Sequence, residues 1–207
     1  FIKFTHTTAY ASALLLIARR ELGAAAPPQL EPEARFGLAW LDKAWQADGS
    51  MLLQVGIGSG NAKGSFFGDH DLWRLPEKDD GLKGKANRYI RNRPVFRANA
   101  PGTPLPPNLA GRTAAAFALA AQLDATAQPA RADRELATAA AIYGAAKTDH
   151  VKVVTALPHA FYPESSWHDD LELGAAELAL AAQALGDPRA ATWTAAGMKW
   201  AERGEDS

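Results

Sequence analysis

The sequence predicts an all-α fold in which antiparallel helical hairpins are arranged as a toroid. Two observations support this class. Apolar residues recur at helical spacing in several alanine-rich segments. The connections between the later segments also differ in length, because 124–129 and 186–187 are short whereas 147–168 is long. Hairpins with short turns at one end collect their long connections at the other end, so a cleft is predicted on that face.

The N-terminal part of the chain is predicted to form the first hairpin. Residues Phe4 to Leu22 make the first helix, which ends at Gly23. Pro32, with an acidic residue on each side, opens the second helix, because proline and acidic residues favour a helix N-terminus. This helix runs through Trp45 and stops at Asp48-Gly49.

The middle of the chain is predicted to be irregular. Met51 to Val55 reads as a brief extended segment, and Gly56 to Pro107 is so rich in glycine and proline that little regular structure is expected. Loops of this length are uncommon in compact domains and are usually functional. Helical spacing then resumes in four segments, which brings the main helices to about six: Ala110 to Leu123, Ala130 to Ala146, Asp169 to Leu185 and Pro188 to Ala201.

Composition excludes several classes of function. The chain has 207 residues, a net charge of −1 and a pI near 6.6, and its basic residues form no stripe, so no nucleic-acid partner is expected. The longest apolar run near the N-terminus, Ala9 to Ala18, is too short to span a bilayer, and no membrane partner is expected. Without cysteine there are no disulfides or thiolate metal sites. Because the sequence opens on Phe1, we interpret it as a fragment or a processed chain.

The glycine-rich stretch from Gly56 to Ser65 imitates a nucleotide-binding loop. A dinucleotide fingerprint would need glycine where Asn61 stands, followed directly by a helix. A phosphate loop would need serine or threonine directly after Lys63, where Gly64 stands. Both nucleotide interpretations fail, so the stretch is predicted to be a flexible loop and no organic cofactor is expected.

Aspartate, histidine and tryptophan occur close together in the long irregular region. Asp69 and His70 could form a hydrogen-bonding pair, and Trp73 could offer a flat apolar ring face. Sugars present C–H faces that stack on aromatic rings and hydroxyls that need polar partners, so this group fits a carbohydrate site. Equally, Trp73 could fill the core while the acidic residues are solvated. The residues alone support both interpretations to the same extent.

The run from Tyr162 to Ala176 holds more polar and aromatic residues than a helix start needs. Within it, Asp169-Asp170-Leu171-Glu172 resembles the aspartate-rich magnesium motif of isoprenoid synthases, but that motif would need a further acid where Leu173 stands. Ser165, Ser166, Asp169 and Asp170 offer hard oxygen ligands at the close spacing that calcium accepts. The alternative is that Asp169 and Asp170 begin a helix and interact with its dipole, which the residues alone favour slightly.

Taken together, these motifs resemble glycoside hydrolase family 9, the inverting cellulases built on an (α/α)6 barrel. The resemblance rests on six motifs in the family's order along nearly the whole chain. They are Phe1-Ile2-Lys3-Phe4, Gln54-Val55-Gly56 followed by Asp69-His70 and Trp73, Pro76-Glu77, Pro101-Gly102, Ala110-Gly111-Arg112-Thr113-Ala114-Ala115-Ala116, and Tyr162 through Ala175.

The resemblance implies that residues 1–207 are part of a single catalytic domain. The family's Asp-Ala-Gly-Asp motif, which supplies the catalytic base, would precede Phe1, and its general-acid glutamate would follow Ser207. Inverting hydrolysis needs both carboxylates, so no catalytic residue is assigned to this chain. The resemblance implies substrate-binding residues along a cleft, and it predicts that Trp73 and His70 share one groove with Tyr162: Asp69, His70, Trp73, Tyr162 and Trp167.

The same resemblance maps the family's calcium site onto this chain. Its ligands would be Ser165, Ser166, Asp169 and Asp170, with Asp170 in place of a more usual glutamate. A further aspartate ligand would lie just past Ser207. Glu164 stands where many members have tryptophan, which changes one stacking position.

The function implied by the resemblance is that of a secreted endo-β-1,4-glucanase. The parent protein would be a monomer that binds β-glucan polysaccharide or oligosaccharide, with calcium as a structural ion. One alternative is a helical-toroid carbohydrate-binding or scaffold protein without catalytic carboxylates. Another is a barrel acting on a different polysaccharide, because a fold does not fix the substrate.

Overall fold

The computed structural model describes residues 2–57, 68, 73, 75–157 and 162–205. Six long helices account for most of this part of the chain, as the sequence predicts. They are α1 (Thr5–Leu22), α2 (Leu30–Ala44), α5 (Pro107–Asp124), α6 (Pro129–Gly144), α7 (His168–Leu185) and α8 (Ala190–Glu205).

Shorter elements lie at the start of the chain, after α1, around position 50 and between 75 and 100. Strands β1 (Lys3–Phe4), β2 (Leu52–Val55) and β3 (Val95–Arg97) form one antiparallel sheet in the order β1-β2-β3. Lys3 pairs with Val55 in this sheet, and Val55 also pairs with Val95. The remaining short elements are helices α3 (Pro76–Asp79) and α4 (Arg88–Asn92) and the 3-10 turns Gly23–Ala25 and Lys85–Asn87.

The long helices pair as three antiparallel hairpins, α1/α2, α5/α6 and α7/α8. Helix α5 also packs against α1 on one side and α7 on the other, so α1, α5 and α7 form an inner row. Helices α2, α6 and α8 each pack mainly on their own hairpin partner and form an outer row. Three such hairpins are half of a six-hairpin ring, and the predicted partial toroid is confirmed.

Composition explains why α5 lies at the centre. Of its 18 residues, 15 are buried, and alanines follow one another around its whole circumference. A helix that is apolar on every side has no face for water and must be surrounded by other elements. Alanine side chains are also small, so α1, α6 and α7 can approach the α5 backbone closely.

The helix ends carry the signals expected from sequence. Pro107 and Pro129 occupy the first positions of α5 and α6, where the missing N–H has no helical partner to lose. Helix α7 ends at Gly186 in the left-handed conformation (φ 69°), and Asp187 N–H donates to Ala182 O over 2.8 Å. This closure turns the chain sharply into α8.

The long connections lie at one end of the hairpins, as predicted, and we call this end the rim. The rim carries the sheet and the described residues of the connections 45–106 and 145–167, together with the N-terminal ends of α1, α5 and α7. The short connections 23–29, 125–128 and 186–189 lie at the opposite end. The fold therefore brings residues from three inner helices and the long loops to one face.

One part of the expectation needs correction. Little regular structure was predicted between Gly56 and Pro107, but the described residues there include α3, α4 and β3. These elements are short, and β3 is a strand only because it pairs with the distant β2. Local sequence periodicity gives no signal for such pairing.

None of the helices in the described part of the chain is both long enough and apolar enough to cross a membrane.

Candidate functional site

A cavity of about 420 Å³ opens at the rim between the inner helices and the connection that leads into α7. It contains Tyr162, one of the residues predicted to bind sugar. Helix α1, helix α5 and the connecting loop all contribute to its lining: His6, Thr7, Tyr10, Arg112, Tyr162, Pro163 and Glu164.

Two larger cavities lie elsewhere and contain none of the predicted site residues. One of about 540 Å³ is at the end opposite the rim, where Arg19, Arg35 and Arg131 are already paired with acidic side chains. The other, of about 510 Å³, runs along the outer side of the α1/α2 hairpin. Size alone does not identify a site, so we take the rim cavity as the candidate.

Tyr162 is held in the rim cavity by a cluster of rings. Its ring lies edge-on to those of Phe4 (5.4 Å between centroids) and His6 (5.0 Å), while 47% of the residue stays exposed. Its backbone has φ 51°, which is uncommon for a bulky residue. The hydroxyl of Thr155 donates to the Tyr162 carbonyl over 2.7 Å and helps to hold this conformation. Backbone strain of this kind persists where the surroundings fix it, and it is frequent at functional sites.

The His6 ring belongs to the same cluster and is almost completely buried. Burial lowers the pKa of His6 below 6.5, because the charged imidazolium loses water. Among its neighbours, Glu164 and the Thr155 backbone raise the pKa, whereas Arg112 lowers it. The net lowering keeps the ring neutral at neutral pH, so it packs as an uncharged aromatic group.

A pH-dependent loss of stability should follow from His6. Its folded-state pKa is depressed, so its contribution is complete above the unfolded value near 6.5 and is lost as pH falls through the folded value. As the pH falls from 7.5 to 5, the free energy of unfolding of wild type should therefore decrease more than that of His6→Phe, because phenylalanine has no group to protonate. Urea denaturation at pH 7.5 and pH 5 measures both decreases. If wild type and His6→Phe differed in free energy of unfolding by the same amount at both pH values, the lowered pKa of His6 would be wrong.

A buried group of charges closes the other side of the cavity. The Arg112 guanidinium binds Asp170 with two parallel hydrogen bonds, Nε to Oδ1 at 2.6 Å and Nη2 to Oδ2 at 2.9 Å. Its remaining Nη1 lies 2.7 Å from Glu164 Oε1. All three side chains are largely removed from solvent, with exposed fractions of 11% for Arg112, 6% for Asp170 and 23% for Glu164. Such charge-assisted forked pairs fix both partners in one geometry.

Two further residues support this group. The Asn108 amide donates to Glu164 Oε2 (3.2 Å) and to the Val154 carbonyl (3.0 Å), which ties α5 to the rim loop twice. The Tyr10 ring lies 5.8 Å from the Arg112 guanidinium, within the range of a cation–π contact. The cavity therefore has aromatic rings on one wall and fixed polar groups on the other.

The sequence and the fold place the chain in a known family. Residues 1–203 match the model of "Glycosyl hydrolase family 9". The chain belongs to this family. No curated protein sequence matches it significantly.

Solved structures share the fold at low sequence identity. The chain is similar to an endoglucanase from the termite Nasutitermes takasagoensis (TM-score 0.69, 20% identity, covering 98% of this chain and 42% of that one). It is also similar to the catalytic domain of Clostridium thermocellum CelT (TM-score 0.69, 21% identity, covering 96% of this chain and 38% of that one). A third similar structure is the cellulase Cel9M of C. cellulolyticum in complex with cellobiose (TM-score 0.64, 23% identity, covering 93% of this chain and 41% of that one). The family 9 chain therefore spans about two fifths of the length of these structures.

Of the three predicted sugar-binding residues that the structure describes, Trp73, Tyr162 and Trp167, Tyr162 lines the rim cavity. Trp73 is 89% exposed, so it does not fill the core. Asp69 and His70 lie outside the described residues, and a shared groove for His70, Trp73 and Tyr162 stays a prediction. Trp167 is half-buried and does not line the cavity.

The ring of Trp167 packs beside the helices instead. It lies 4.0 Å from the His168 ring and 5.3 Å from that of Trp200, measured between centroids. Trp200 belongs to α8 and donates its indole N–H to the Tyr143 hydroxyl at 2.9 Å. Trp167 therefore connects the rim loop to the α7/α8 hairpin.

The four residues predicted to bind calcium differ in their surroundings. Ser165, Ser166 and Asp169 are exposed, and the Ser166 hydroxyl donates to Asp169 Oδ1 over 3.2 Å. Asp170 is buried, and both of its carboxylate oxygens are bound by Arg112. Within the part of the chain that the structure describes, no three histidine or acidic side chains are grouped so that they could hold a metal ion.

Sequence reasoning missed four residues of the rim cavity: His6, Thr7, Tyr10 and Arg112. Arg112 stands inside the Ala110–Ala116 motif, which was used for the resemblance but given no role. A lone arginine in an alanine-rich helix is itself a signal, because burying its charge requires a carboxylate partner. His6 and Tyr10 share one face of α1 at i and i+4 spacing, which also points to a common surface.

Proposed function

We propose that this chain forms one wall of the sugar-binding cleft of a secreted glycoside hydrolase of the cellulase kind, whose parent protein hydrolyses β-1,4-glucan. The observation that carries the proposal is the Tyr162 ring, held half-exposed in the rim cavity beside the fixed side chains of Arg112 and Glu164. Membership of glycosyl hydrolase family 9 supplies the reaction class.

The chemistry of the cavity suits a sugar. A pyranose ring has an apolar face that packs on an aromatic ring, and Tyr162 and Tyr10 are both about half-exposed at this surface. Its hydroxyls need donors and acceptors, which Arg112, Glu164 and Thr7 supply. The volume of about 420 Å³ falls within the range of roughly 300–1,000 Å³ usual for ligand sites.

The two acids nearest the cavity are poorly suited to catalysis. An inverting glycosidase places two carboxyl groups roughly 6.5–9.5 Å apart, with a water activated by one of them. Here Glu164 and Asp170 both bind the same guanidinium. This arrangement supports a binding role for the chain and the assignment of the catalytic acid and base to other parts of the parent protein.

The test is to express the complete reading frame that encodes this chain and to measure reducing ends released from carboxymethyl cellulose. We expect hydrolysis by the complete protein and none by the 207-residue chain alone. Turnover by the chain alone would contradict the assignment of the catalytic pair. Binding of cellulose without any hydrolysis by the complete protein would favour the scaffold alternative.

Replacing Tyr162 with alanine in the complete protein should weaken binding of cellopentaose about tenfold, because a stacking face worth roughly 1.4 kcal/mol is lost. Isothermal titration calorimetry with a thio-linked cellopentaose, which the complete protein cannot hydrolyse, measures the affinity. Phe36→Ala is the matched control, since Phe36 is 77% exposed on α2 and does not line the rim cavity. Equal affinities for wild type and Tyr162→Ala would mean that the Tyr162 ring in the rim cavity does not bind the sugar.

A further inference from the structure

The Arg112 guanidinium lies between the carboxylates of Glu164 and Asp170, where a bound metal ion could otherwise lie. We infer that this guanidinium holds the loop 162–167 to the start of α7, so that this chain fixes the loop without calcium. The inference concerns how the loop is held and does not depend on which sugar the parent protein binds.

The first step is the geometry of the Arg112–Asp170 pair. Both carboxylate oxygens face the same planar guanidinium at 2.6 and 2.9 Å, which is the bidentate arrangement that arginine forms and lysine cannot. Calcium would need these oxygens as ligands at roughly 2.3–2.6 Å. A calcium ion bound to these oxygens would lie beside the positive guanidinium, which repels it. Asp170, as the structure places it, does not fit a calcium ligand.

The second step is the reach of the same guanidinium into the loop. Its third nitrogen lies 2.7 Å from Glu164, six residues before Asp170. One side chain of α5 therefore joins two acidic groups that belong to the loop and to α7. Calcium-binding loops are held in a similar way, by one cation that several oxygen ligands share.

The third step is the charge balance. Asp170 and Glu164 carry two negative charges when ionised, and Arg112 supplies one positive charge between them. Removing that charge leaves two neighbouring carboxylates, both mostly shielded from water. Two facing carboxylates are what a hard divalent cation prefers. An Arg112 variant should therefore acquire the calcium response that the unaltered chain lacks.

The loop segment itself provides the readout. Hydrogen exchange of a peptide covering 162–172 reports how tightly this segment is held. In the complete wild-type protein we expect its protection to be the same in EDTA and in millimolar calcium. In Arg112→Gln we expect protection to fall roughly tenfold to a hundredfold in EDTA, because a buried pair has lost one partner, and calcium should restore most of it.

Two controls separate this role from ordinary stabilisation. Arg189→Gln breaks another forked pair, Arg189–Asp187, which has one carboxylate and an exposed arginine. This variant should gain no calcium response. Arg112→Lys keeps the positive charge without the fork, so it should lose part of the protection and stay insensitive to calcium.

Two results would overturn the inference. A calcium-dependent rise in protection of the wild-type segment would show that a metal ion, and not Arg112, holds the loop. A folded Arg112→Gln protein that loses protection but ignores calcium would show that the guanidinium does not occupy a cation position. Should Arg112→Gln fail to fold, the wild-type comparison and Arg112→Lys still decide between the two.

Discussion

Replacing Gly111 with alanine is expected to lower the free energy of unfolding by about 3 kcal/mol or more, which is enough to unfold a marginally stable domain. An added Cβ at Gly111 would lie 2.7 Å from the Leu171 nitrogen and nearer still to the Asp170 carbonyl group. These atoms belong to the backbone of α7, so no side-chain rotation can relieve the contact. Gly174 faces Gly111 from α7, and an added Cβ there would lie 2.8 Å from the Gly111 carbonyl oxygen.

Urea denaturation of Gly111→Ala and wild type measures the loss. Gly144→Ala is the matched control, because Gly144 ends α6 and an added Cβ there meets no atom within 4 Å. Alanine favours a helix over glycine by up to about 1 kcal/mol, so this control should be unchanged or slightly more stable. If the two variants had equal stability, the backbones of α5 and α7 would not be in contact at this point.

The close crossing of α5 and α7 also explains how the rim site is built. With no side chain at Gly111, the next residue, Arg112, comes within hydrogen-bond distance of Asp170. A wider crossing would separate the guanidinium from the carboxylate and leave both charges buried without partners. Gly111→Ala should therefore affect the rim cavity as well as stability.

The helices could be predicted from sequence because their signals are local. The first helix was predicted from Phe4 to Leu22 and runs from Thr5 to Leu22, since its apolar residues repeat at helical spacing and Gly23 ends it. The unequal connection lengths also predicted correctly that the long loops share one end. Each of these features depends on residues close together in the sequence.

The candidate site could be predicted only in part, because its contacts join distant positions. Tyr162 was predicted from the resemblance of the run from Tyr162 to Ala175 to the family's motif. The Arg112–Asp170 pair joins residues 58 positions apart, and no local sequence pattern indicates which carboxylate Arg112 binds. Trp167 was predicted to bind sugar from the same resemblance, but its ring packs on Trp200. Which face of a loop meets a neighbouring helix is decided by packing and not by composition.

A second network of charges, at the end opposite the rim, should have the other large effect on stability. Arg35 binds Asp124 (2.9 Å), Glu135 (3.0 Å) and Glu31 (3.2 Å). Asp124 and Glu135 are nearly buried, with 5% and 11% of their side chains exposed. Arg131 contacts both of these acids. Arg35 therefore joins α2 to the hairpin of α5 and α6.

The acids in this network titrate in opposite directions. Burial, with the neighbouring Asp124, raises the pKa of Glu135 to about 7, against the lowering effect of Arg35 and Arg131. Burial also raises the pKa of Asp124, but Arg131 and Arg35 outweigh it and hold that pKa below its ordinary value. Because the folded pKa of Glu135 is raised, its contribution to stability is complete below about pH 4.5 and is lost as pH rises through about 7.

Arg35→Met should therefore lower the free energy of unfolding by about 3–5 kcal/mol at pH 8 and by clearly less at pH 5. Methionine keeps much of the aliphatic length but removes the charge that Glu135 needs when it is ionised. At pH 5 the Glu135 carboxyl is protonated in most molecules, so it needs no positive charge beside it. Urea denaturation at the two pH values measures the difference.

The double variant Arg35→Met/Glu135→Gln tests the cause of that difference, because glutamine has no proton to lose. It should recover part of the stability at pH 8, and its loss relative to wild type should depend less on pH than that of the single variant. Arg97→Met is the control, since Arg97 and Asp48 form a pair with 44% and 42% of their side chains exposed, and such pairs contribute about 1 kcal/mol or less. An equal loss for Arg35→Met at pH 5 and pH 8 would mean that Glu135 is ionised throughout this range. The raised pKa would then be wrong, and the Arg35–Glu135 ion pair would contribute to stability at both pH values.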